Sequence, residues 1–269
     1  MSRSERASFA TVSSLDLCIA GATGWTGSAL VDAVNAAEDL ELRSAVSRSA
    51  AGGEVGGAPA YPTVAEALEG VDVLIDFTSH DIVLGNTLTA IEHGVAVVIG
   101  TSGLTAEEFQ EIDAAASGRG IGVIAAGNFS LTAAMAQAAA LLAARHLPSW
   151  EVIDYASAGK PDAPSGTARE LAERLGKVRE PQIERALEDT AGVREARGAT
   201  IGGTQVHSLR LPSFTVSTEV VFALPDERLS IRHDAGSSAA PYVAGTLLAA
   251  RAAPSTVGLV RGLDTLLLG

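Results

Sequence analysis

Gly21-Ala22-Thr23-Gly24-Trp25-Thr26-Gly27 is the stretch that decides the fold. It follows an apolar run over residues 15–20 and precedes a helical pattern over residues 28–37. In a strand–turn–helix unit, the first glycine permits a tight turn, the second lets backbone approach a diphosphate, and the third lets helix and strand pack closely. Amides at the helix N-terminus then face the phosphates with a partial positive charge. We therefore predict that all seven residues bind a dinucleotide, with Trp25 over the cofactor or at a domain edge.

The first half of the chain alternates apolar runs with helical patterns. Further strands are predicted at residues 42–46, 71–77, 95–99 and 121–125. Thr105 and Glu108 have the spacing of a capping box at the start of a helix over residues 106–116. Apolar strands separated by helices indicate a parallel sheet covered on both faces. The sequence thus predicts an α/β, doubly wound (Rossmann) dinucleotide-binding domain over residues 1–129.

The pattern changes after Asn128. Residues 204–211, 214–223 and 228–233 have the composition of strands and are separated by Pro212 and by Pro225-Asp226. We predict an α+β second domain over residues 130–240, with an open mixed or antiparallel sheet, for substrate binding and oligomerisation. The Ala-rich segment at residues 241–269 is predicted to be helical and to pack back on the first domain.

Composition excludes several classes of partner. A net charge of −13 argues against a nucleic-acid binder, which normally presents a basic face. The single cysteine, Cys18, excludes an internal disulfide and a thiolate metal cluster, so we predict no metal and a buried, inert thiol. The apolar stretch at residues 133–144 is too short to span a bilayer. The first fourteen residues are polar and lack the apolar region of a signal peptide, so we expect a loose tail and a cytoplasmic protein.

The end of the second predicted strand discriminates between cofactors. A carboxylate there binds the ribose 2′-OH of NAD, whereas basic or hydroxyl side chains accommodate the 2′-phosphate of NADP. This chain has Ser47-Arg48-Ser49, in which Arg48 can pair with a phosphate and no carboxylate repels it. Ser47 and Arg48 are therefore predicted cofactor residues, and NADPH is favoured over NADH.

Two more strand ends carry polar loops, Asp76-Phe77-Thr78 and Gly100-Thr101-Ser102-Gly103. Ligands of open α/β sheets bind outside the carboxyl ends of the strands, so these loops should line the nicotinamide side of the site. The predicted contacts there are Phe77, Thr78, Gly100, Thr101 and Ser102, together with Ala126, Asn128 and Phe129 at the domain boundary.

The most specific string is Lys160-Pro161-Asp162-Ala163-Pro164-Ser165-Gly166-Thr167-Ala168. Ser165, Gly166 and Thr167 open a helix with hydroxyls and free N–H groups, which suits a carboxylate. Lys160, on the same loop, adds a positive charge or a proton. We predict Lys160, Ser165, Gly166 and Thr167 as the substrate-binding residues and Lys160 as the catalytic one.

Taken together, these motifs make the chain resemble dihydrodipicolinate (4-hydroxy-tetrahydrodipicolinate) reductases from about residue 15 to residue 268. That family has a glycine turn, an Asp-Phe-Thr strand end, a Gly-Thr-Thr-Gly loop, an Asn-Phe-Ser hinge and a Lys-x-Asp-Ala-Pro-Ser-Gly-Thr-Ala loop. The hinge here is Asn128-Phe129-Ser130, and His207 and His233 fall where later strands of the family carry histidines. The resemblance implies a homotetramer, or a homodimer, joined through the second-domain sheets. It also implies hydride transfer to a small carboxylated cyclic imine or enamine.

The chain departs from the family pattern at the substrate loop. The family has Glu-x-His-His-x-x-Lys, whereas Ala156 and Ser157 replace both histidines here. An arginine that the family carries shortly after the last strand is missing here, since His233 is followed by Asp234-Ala235-Gly236-Ser237-Ser238. These changes remove donors that a dicarboxylate would use. We therefore expect a divergent member whose NAD(P)H-dependent chemistry reduces a C=N or conjugated C=C bond, with Lys160 as first candidate proton donor and Tyr155 or Ser157 as alternative relays.

Other reductases and non-catalytic proteins share parts of this pattern. Extended short-chain dehydrogenases need Tyr-x-x-x-Lys, but Tyr155 and Lys160 are spaced one residue too far for one helical face. N-acetyl-glutamyl-phosphate reductases need a nucleophilic cysteine in mid-chain, and Cys18 is in the first strand. Two alternatives stay open: a genuine 4-hydroxy-tetrahydrodipicolinate reductase of lysine and diaminopimelate biosynthesis, and a non-catalytic, nucleotide-sensing relative.

Overall fold

A computed structural model describes residues 14–268 of the chain. Most of the predicted polar tail, residues 1–13, lies outside the described residues, as does residue 269. The strands and α-helices of the described part are, in chain order, β1 (Leu15–Ala20), α1 (Trp25–Asn35), β2 (Leu40–Val46), β3 (Glu54–Val55), β4 (Ala58–Tyr61), α2 (Val64–Ala67), β5 (Val73–Asp76), α3 (His80–Glu92), β6 (Ala96–Ile99), α4 (Ala106–Arg119), β7 (Gly122–Ala125), α5 (Leu131–Ala144), β8 (Ser149–Ala156), α6 (Gly166–Val178), β9 (Ala199–Ile201), β10 (Thr204–Arg210), β11 (Val216–Leu224), β12 (Glu227–Asp234), α7 (Ala240–Ala252), β13 (Gly258–Arg261) and α8 (Leu263–Leu268).

The first sheet has the strand order β13-β7-β6-β5-β1-β2-β4-β3 and is parallel except at the β3–β4 hairpin. Alternate residues of β1 point to opposite faces, as a strand requires. Leu17 and Ile19 pack with α1 and α7 on one side, while Cys18 and Ala20 pack with α3 and α4 on the other. This arrangement confirms the predicted doubly wound fold.

Cys18 is fully buried between the sheet and its helix layer. Burial raises the pKa of its thiol to about 12, so the reactive thiolate form is absent at neutral pH. The prediction of an inert thiol agrees with this environment.

The second sheet has the strand order β12-β11-β8-β10-β9. It is mixed, because β8 and β10 run parallel while the other neighbours run antiparallel. Helices α5 and α6 pack on one face, where Trp150, Val152 and Phe222 form a core with Leu171 and Leu175. The α+β character and the mixed sheet confirm the predicted class of this unit.

Three short strands of the first sheet, β3, β4 and β13, were not predicted from the sequence. The segment predicted as helical at residues 241–269 contains β13, which pairs in parallel with β7 at the edge of the first sheet. The glycine-rich segment at residues 50–58 contains β3 and the start of β4. Runs of two to four residues carry too little periodicity to identify, and Ala58 and Pro59 have low strand propensity.

Among the described helices, none combines the length and the apolar character that crossing a bilayer requires.

Candidate active site between the two sheets

The glycine turn lies between β1 and α1 and admits only glycine at two positions. Gly21 has a φ of 80°, and a Cβ there would lie 2.3 Å from the carbonyl oxygen of Phe77. A Cβ on Gly27 would lie 2.0 Å from the carbonyl oxygen of Gly21. Gly24 is the N-cap of α1 and provides no capping side chain, and the first turn of the helix has no acidic residue. The amides at this helix start therefore suit an anionic group such as the diphosphate of a dinucleotide.

Three hydroxyl groups meet beside this turn, at the end of β2. Thr23 Oγ1 lies 2.8 Å from Ser47 Oγ, which lies 3.1 Å from Ser49 Oγ. Ser47 is buried and Arg48 is exposed next to it. The structure thus brings the predicted Ser47 next to Thr23 of the turn, and Arg48 follows it in the chain.

Asp76 at the end of β5 ties the two predicted nicotinamide loops together. Its buried carboxylate accepts hydrogen bonds from Thr78 N (2.9 Å), Thr78 Oγ1 (2.6 Å) and Thr101 Oγ1 (2.7 Å). Asn86 Nδ2 donates a further bond of 2.8 Å. The sequence-based site included Thr78 and Thr101 but missed Asp76, although a carboxylate at the end of an apolar strand was a visible signal.

Phe77 fills the space between these loops and the domain boundary. A Cβ on Gly100 would lie 2.1 Å from the Phe77 ring, so only glycine lets that loop pass. The rings of Phe77 and Phe129 have centroids 5.9 Å apart. Phe129 is fully buried and Ala126 nearly so, which makes them walls of the site whose contact with a ligand would run through their backbone.

A cleft of about 780 Å³ runs between the two units. One wall consists of the glycine turn and the strand-end loops, and the other consists of Pro161, Asp162 and Arg169. Trp25 is 54% exposed at the cleft, with its ring edge-on to Tyr242 at a centroid distance of 5.9 Å. The position of Trp25 agrees with the prediction that it lies outside the core.

The start of α6 is held by a second buried carboxylate, Asp154 on β8. Ser165 donates to it from its backbone N (2.9 Å) and from Oγ (2.6 Å). Ser208 Oγ (3.0 Å) and Arg210 (2.9 Å) donate to the same carboxylate, and Arg210 also donates to the carbonyl oxygen of Asp162. Asp154 therefore fixes both ends of the segment from Asp162 to Ser165, a role that the sequence did not reveal.

The predicted anion site at the start of α6 therefore has fewer free hydrogen-bond donors than its three residues suggest. The Ser165 hydroxyl donates to Asp154, and the Thr167 hydroxyl donates to the Gly127 carbonyl oxygen at 2.9 Å. Both hydroxyl protons thus have acceptors within the protein. The backbone N–H groups of Gly166 and Thr167 are the donors that a carboxylate would meet there.

Lys160 lies on the loop between β8 and α6. Its Nζ is 2.8 Å from Asp162 Oδ1, and its side chain is 24% exposed. This ion pair holds the ammonium group of Lys160 on the loop.

The two alternative relays have different surroundings. Tyr155 points to the opposite face of the sheet, where its hydroxyl donates to Glu219 at 3.1 Å and its ring stacks on Phe214. Burial, followed by the Glu219 carboxylate, raises the pKa of Tyr155. Ser157 is exposed. Tyr155 therefore faces away from the loop, whereas Ser157 and Lys160 both belong to it, and Lys160 N donates to the Ser157 carbonyl oxygen at 3.0 Å.

The boundary between the units is held by Glu170 of α6. Its carboxylate accepts a hydrogen bond from Gly127 N and another from Gln137 Nε2 (3.3 Å). Burial raises the pKa of Glu170. Asn128, a predicted cofactor residue, accepts a hydrogen bond from Ser130 N (2.8 Å) and donates one to Thr167 Oγ1 (3.3 Å). These bonds couple the segment at Asn128 to the start of the helix on which the anion site is predicted.

His233, noted in the sequence, lies on β12 near the start of α5. Its Nε2 is 3.1 Å from Thr132 Oγ1 and 3.4 Å from Ser130 Oγ. Burial lowers the pKa of His233, which favours the neutral imidazole at neutral pH. Its place beside Ser130 makes it a support of the hinge.

Comparisons with known proteins match both halves of the chain. The family model described as "Dihydrodipicolinate reductase, N-terminus" matches residues 15–129, and the one described as "Dihydrodipicolinate reductase, C-terminus" matches residues 127–267. The 4-hydroxy-tetrahydrodipicolinate reductase of Streptococcus suis (strain 05ZYH33) is 36% identical over 255 residues, covering 94% of this chain and 99% of the relative. That of Moorella thermoacetica is 36% identical over 267 residues, covering 95% and 99%.

Solved structures show the same architecture. A dipicolinate-bound dihydrodipicolinate reductase from Paenisporosarcina sp. TG-14 superposes with a TM-score of 0.75 at 27% identity, covering 94% of this chain and 99% of that one. GenD2 from gentamicin A biosynthesis, in complex with NAD, has a TM-score of 0.58 at 17% identity and covers 86% and 75%. The second likeness concerns the fold alone.

Proposed function

The chain belongs to the dihydrodipicolinate reductase family and is an NAD(P)H-dependent oxidoreductase, and from that premise we propose that it reduces the C=N bond, or a conjugated C=C bond, of a small carboxylated cyclic imine. The observation that carries this proposal is the shared cleft, in which the glycine turn faces the segment that follows Lys160. A cofactor on the turn would then face the loop on which the substrate is proposed to bind.

NADPH is the proposed cofactor, and it supplies the hydride when bound. The residues present fit it, because glycine positions that a Cβ would fill leave the backbone of the turn open to a diphosphate. Thr23, Ser47, Ser49 and Arg48 would hold the 2′-phosphate through hydroxyl and guanidinium donors. Thr78 and Thr101, fixed by Asp76, would position the nicotinamide side.

Lys160 and the start of α6 are proposed to handle the substrate. The N–H groups of Gly166 and Thr167, at a helix N-terminus fixed by Asp154, would bind one carboxylate. The Lys160 ammonium, released from Asp162, would give its proton to the substrate nitrogen as the carbon of the C=N bond gains the hydride. The product is then the saturated cyclic amino acid, with oxidised cofactor and a neutral lysine that regains its proton from solvent.

A second candidate is genuine 4-hydroxy-tetrahydrodipicolinate reduction in lysine and diaminopimelate biosynthesis. The names and the 36% identity of the relatives favour it. Against it stand Ala156 and Ser157, because we propose that the chain is a divergent member in which they replace the family's paired histidines. Fewer donors for a second carboxylate favour a monocarboxylate substrate.

We further propose that residues 1–129, with residues 241–269 packed against them, form the dinucleotide unit, and that residues 130–240 form the substrate and oligomerisation unit. The strand β13 supports this division because it belongs to the first sheet. A homotetramer, or a homodimer, joined through the second sheet is the proposed assembly. Its support is the sheet face opposite α5 and α6, which carries the partly exposed Ile153, Tyr155 and Val221.

The test is oxidation of NADPH or NADH by the purified protein with 4-hydroxy-tetrahydrodipicolinate and, in parallel, with five- and six-membered cyclic imine monocarboxylates. We expect turnover with a cyclic imine acid. The kcat/KM should be about tenfold higher with NADPH than with NADH, because NADH lacks the 2′-phosphate that would pair with Arg48. Turnover with the dicarboxylate alone would favour the second candidate. Binding of NADPH without turnover of any substrate would indicate a nucleotide-sensing relative.

A further inference from the structure

The glycine turn has no cationic side chain to balance a diphosphate. Residues 21–27 contain no lysine or arginine, and the bulky Trp25 stands at the start of α1. The wall that this unit contributes to the cleft offers amides, hydroxyls and the exposed His80. The diphosphate of a dinucleotide is doubly charged, and this wall provides no permanent positive charge to meet it.

The opposite wall provides one, Arg169. This residue lies one turn into α6, where its backbone N donates to the Ser165 carbonyl oxygen at 2.9 Å. Its side chain lines the same cleft as Gly24, Trp25 and Thr26. A guanidinium on this wall therefore faces the turn that is proposed to bind the phosphates.

The charge of Arg169 is uncompensated within the described residues. Three other partly buried arginines have acidic partners: Arg174 pairs with Asp264, Arg210 with Asp154, and Arg261 with Glu173. The side chain of Arg169 forms no ion pair or hydrogen bond with any residue from 14 to 268. Asp162, the carboxylate in the same cleft, is already paired with Lys160 at 2.8 Å. In a chain with a net charge of −13, an arginine left without a carboxylate in a cleft is suited to an anionic ligand.

We propose that Arg169 binds the diphosphate of the bound dinucleotide from the second unit. The phosphate is favoured over a substrate carboxylate because the larger cleft that Arg169 lines contains Gly24, Trp25 and Thr26 of the glycine turn. The smaller pocket that Arg169 shares with Gly166 is also lined by the acidic Glu170, which disfavours a second carboxylate there. The planar guanidinium suits two phosphate oxygens at once. The inference rests on the proposed function insofar as a nicotinamide dinucleotide occupies the turn.

This contact would link the two binding events. Arg169 and the Gly166 and Thr167 amides belong to the same helix, which hydrogen-bonds to the hinge through Glu170 and Thr167. A cofactor that draws Arg169 towards the turn would therefore bring the substrate amides over the nicotinamide side.

The test is calorimetric titration of the full-length protein with NADPH in the absence of substrate. We expect Arg169→Ala to raise the Kd for NADPH about tenfold, as loss of a charge-assisted pair would, and Arg169→Lys to restore part of the affinity. Lys177→Ala is the matched control, because Lys177 is an exposed cation on the last turn of the same helix. Its Kd should stay within about twofold of the wild-type value.

A comparison of two ligands tests whether Arg169 contacts the diphosphate rather than the 2′-phosphate. NADP⁺ and adenosine 2′-monophosphate share the 2′-phosphate, but only NADP⁺ has the diphosphate. Arg169→Ala should weaken NADP⁺ and leave adenosine 2′-monophosphate unchanged, and an equal loss for both ligands would overturn the assignment.

The remaining outcomes separate this inference from the proposed function. An unchanged Kd for NADPH in Arg169→Ala, with a raised KM for the imine acid, would assign Arg169 to the substrate and overturn the inference alone. A wild-type protein that does not bind NADPH would refute the proposed function itself. Circular dichroism and thermal melting of Arg169→Ala should match the wild type, because the Arg169 side chain forms no bond that the described structure needs.

Discussion

Lys160 is the residue on which the proposed chemistry depends most directly. Its ammonium group is held 2.8 Å from Asp162 Oδ1 on a partly exposed loop, away from the glycine turn. We expect Lys160→Ala to lower kcat at least about 100-fold, because a positioned general acid contributes that much or more. The Kd for NADPH should stay within about twofold of the wild-type value, since Lys160 does not line the cofactor cleft. Initial rates of NADPH oxidation and a cofactor titration measure the two quantities.

Lys177→Ala serves as the control, because it removes the same charge from the exposed end of α6. A Lys160→Ala protein that keeps the wild-type kcat and shows only a raised KM would contradict the proton-donor role. In that case Lys160 would bind the carboxylate, and the proton would come from another group or from water.

The start of α6 depends on an element that is distant in sequence. Asp154 on β8 accepts four hydrogen bonds, two of them from Ser165 and one from Arg210. Asp154→Asn removes the charge that pairs with Arg210 and should lower the free energy of unfolding by about 3 kcal/mol. The KM for the imine acid should also rise, because the Gly166 and Thr167 amides lose their fixed position. Urea denaturation and steady-state kinetics measure these effects.

Asp39→Asn is the matched control, since Asp39 pairs with Arg251 on the surface of the first unit, away from the second sheet. This change should leave the free energy of unfolding nearly unaltered and KM unchanged. If Asp154→Asn altered neither the stability nor the KM, the start of α6 would not need Asp154 of β8 to hold its position. That result would contradict the role proposed for Asp154.

Local sequence patterns predicted those elements that are stabilised by residues close to them in the chain. The glycine turn, the capping box at Thr105 and the helix opened by Ser165 all have their stabilising groups within a few residues. The role of Asp154 escaped because its partners come from another strand and from a helix start, up to 56 residues away. The role of Asp76 in joining two loops escaped because Thr101 lies 25 residues further along the chain. The strand β13 escaped because four residues carry no clear period, and its partner β7 lies more than a hundred residues earlier. Contacts between segments that are distant in the chain are the features of the fold and the site that could not be predicted from this sequence.

At the scale of the whole molecule, helices α5 and α6 cover one face of the second sheet and leave the other face open. The other face combines partly exposed apolar side chains, among them Ile153 and Val221, with charged ones such as Glu151 and Arg232. Single exposed apolar residues are ordinary, but a sheet face of this kind is suited to pairing with the same face of a second copy. The proposed assembly therefore places the two-fold axis against this face.

Val221→Arg tests that assembly. Val221 is partly exposed and lies opposite Glu151 across β8 and β11, where Arg197 and His207 already pair with that carboxylate. A long arginine side chain can extend from this position into solvent, so the monomer should tolerate the change. Between two apposed sheets, however, a buried like-charged pair from the two copies would be strongly unfavourable. We expect light scattering after size exclusion to give the wild type a mass of two or four times 27.3 kDa. The Val221→Arg variant should have a smaller mass and an unchanged affinity for NADPH.

Val257→Arg is the control for this experiment. Val257 is 67% exposed at the edge of the first sheet, so its replacement should leave the mass of the assembly unaltered. A wild-type mass of one chain would rule out the assembly, and a Val221→Arg protein of wild-type mass would move the interface to another face.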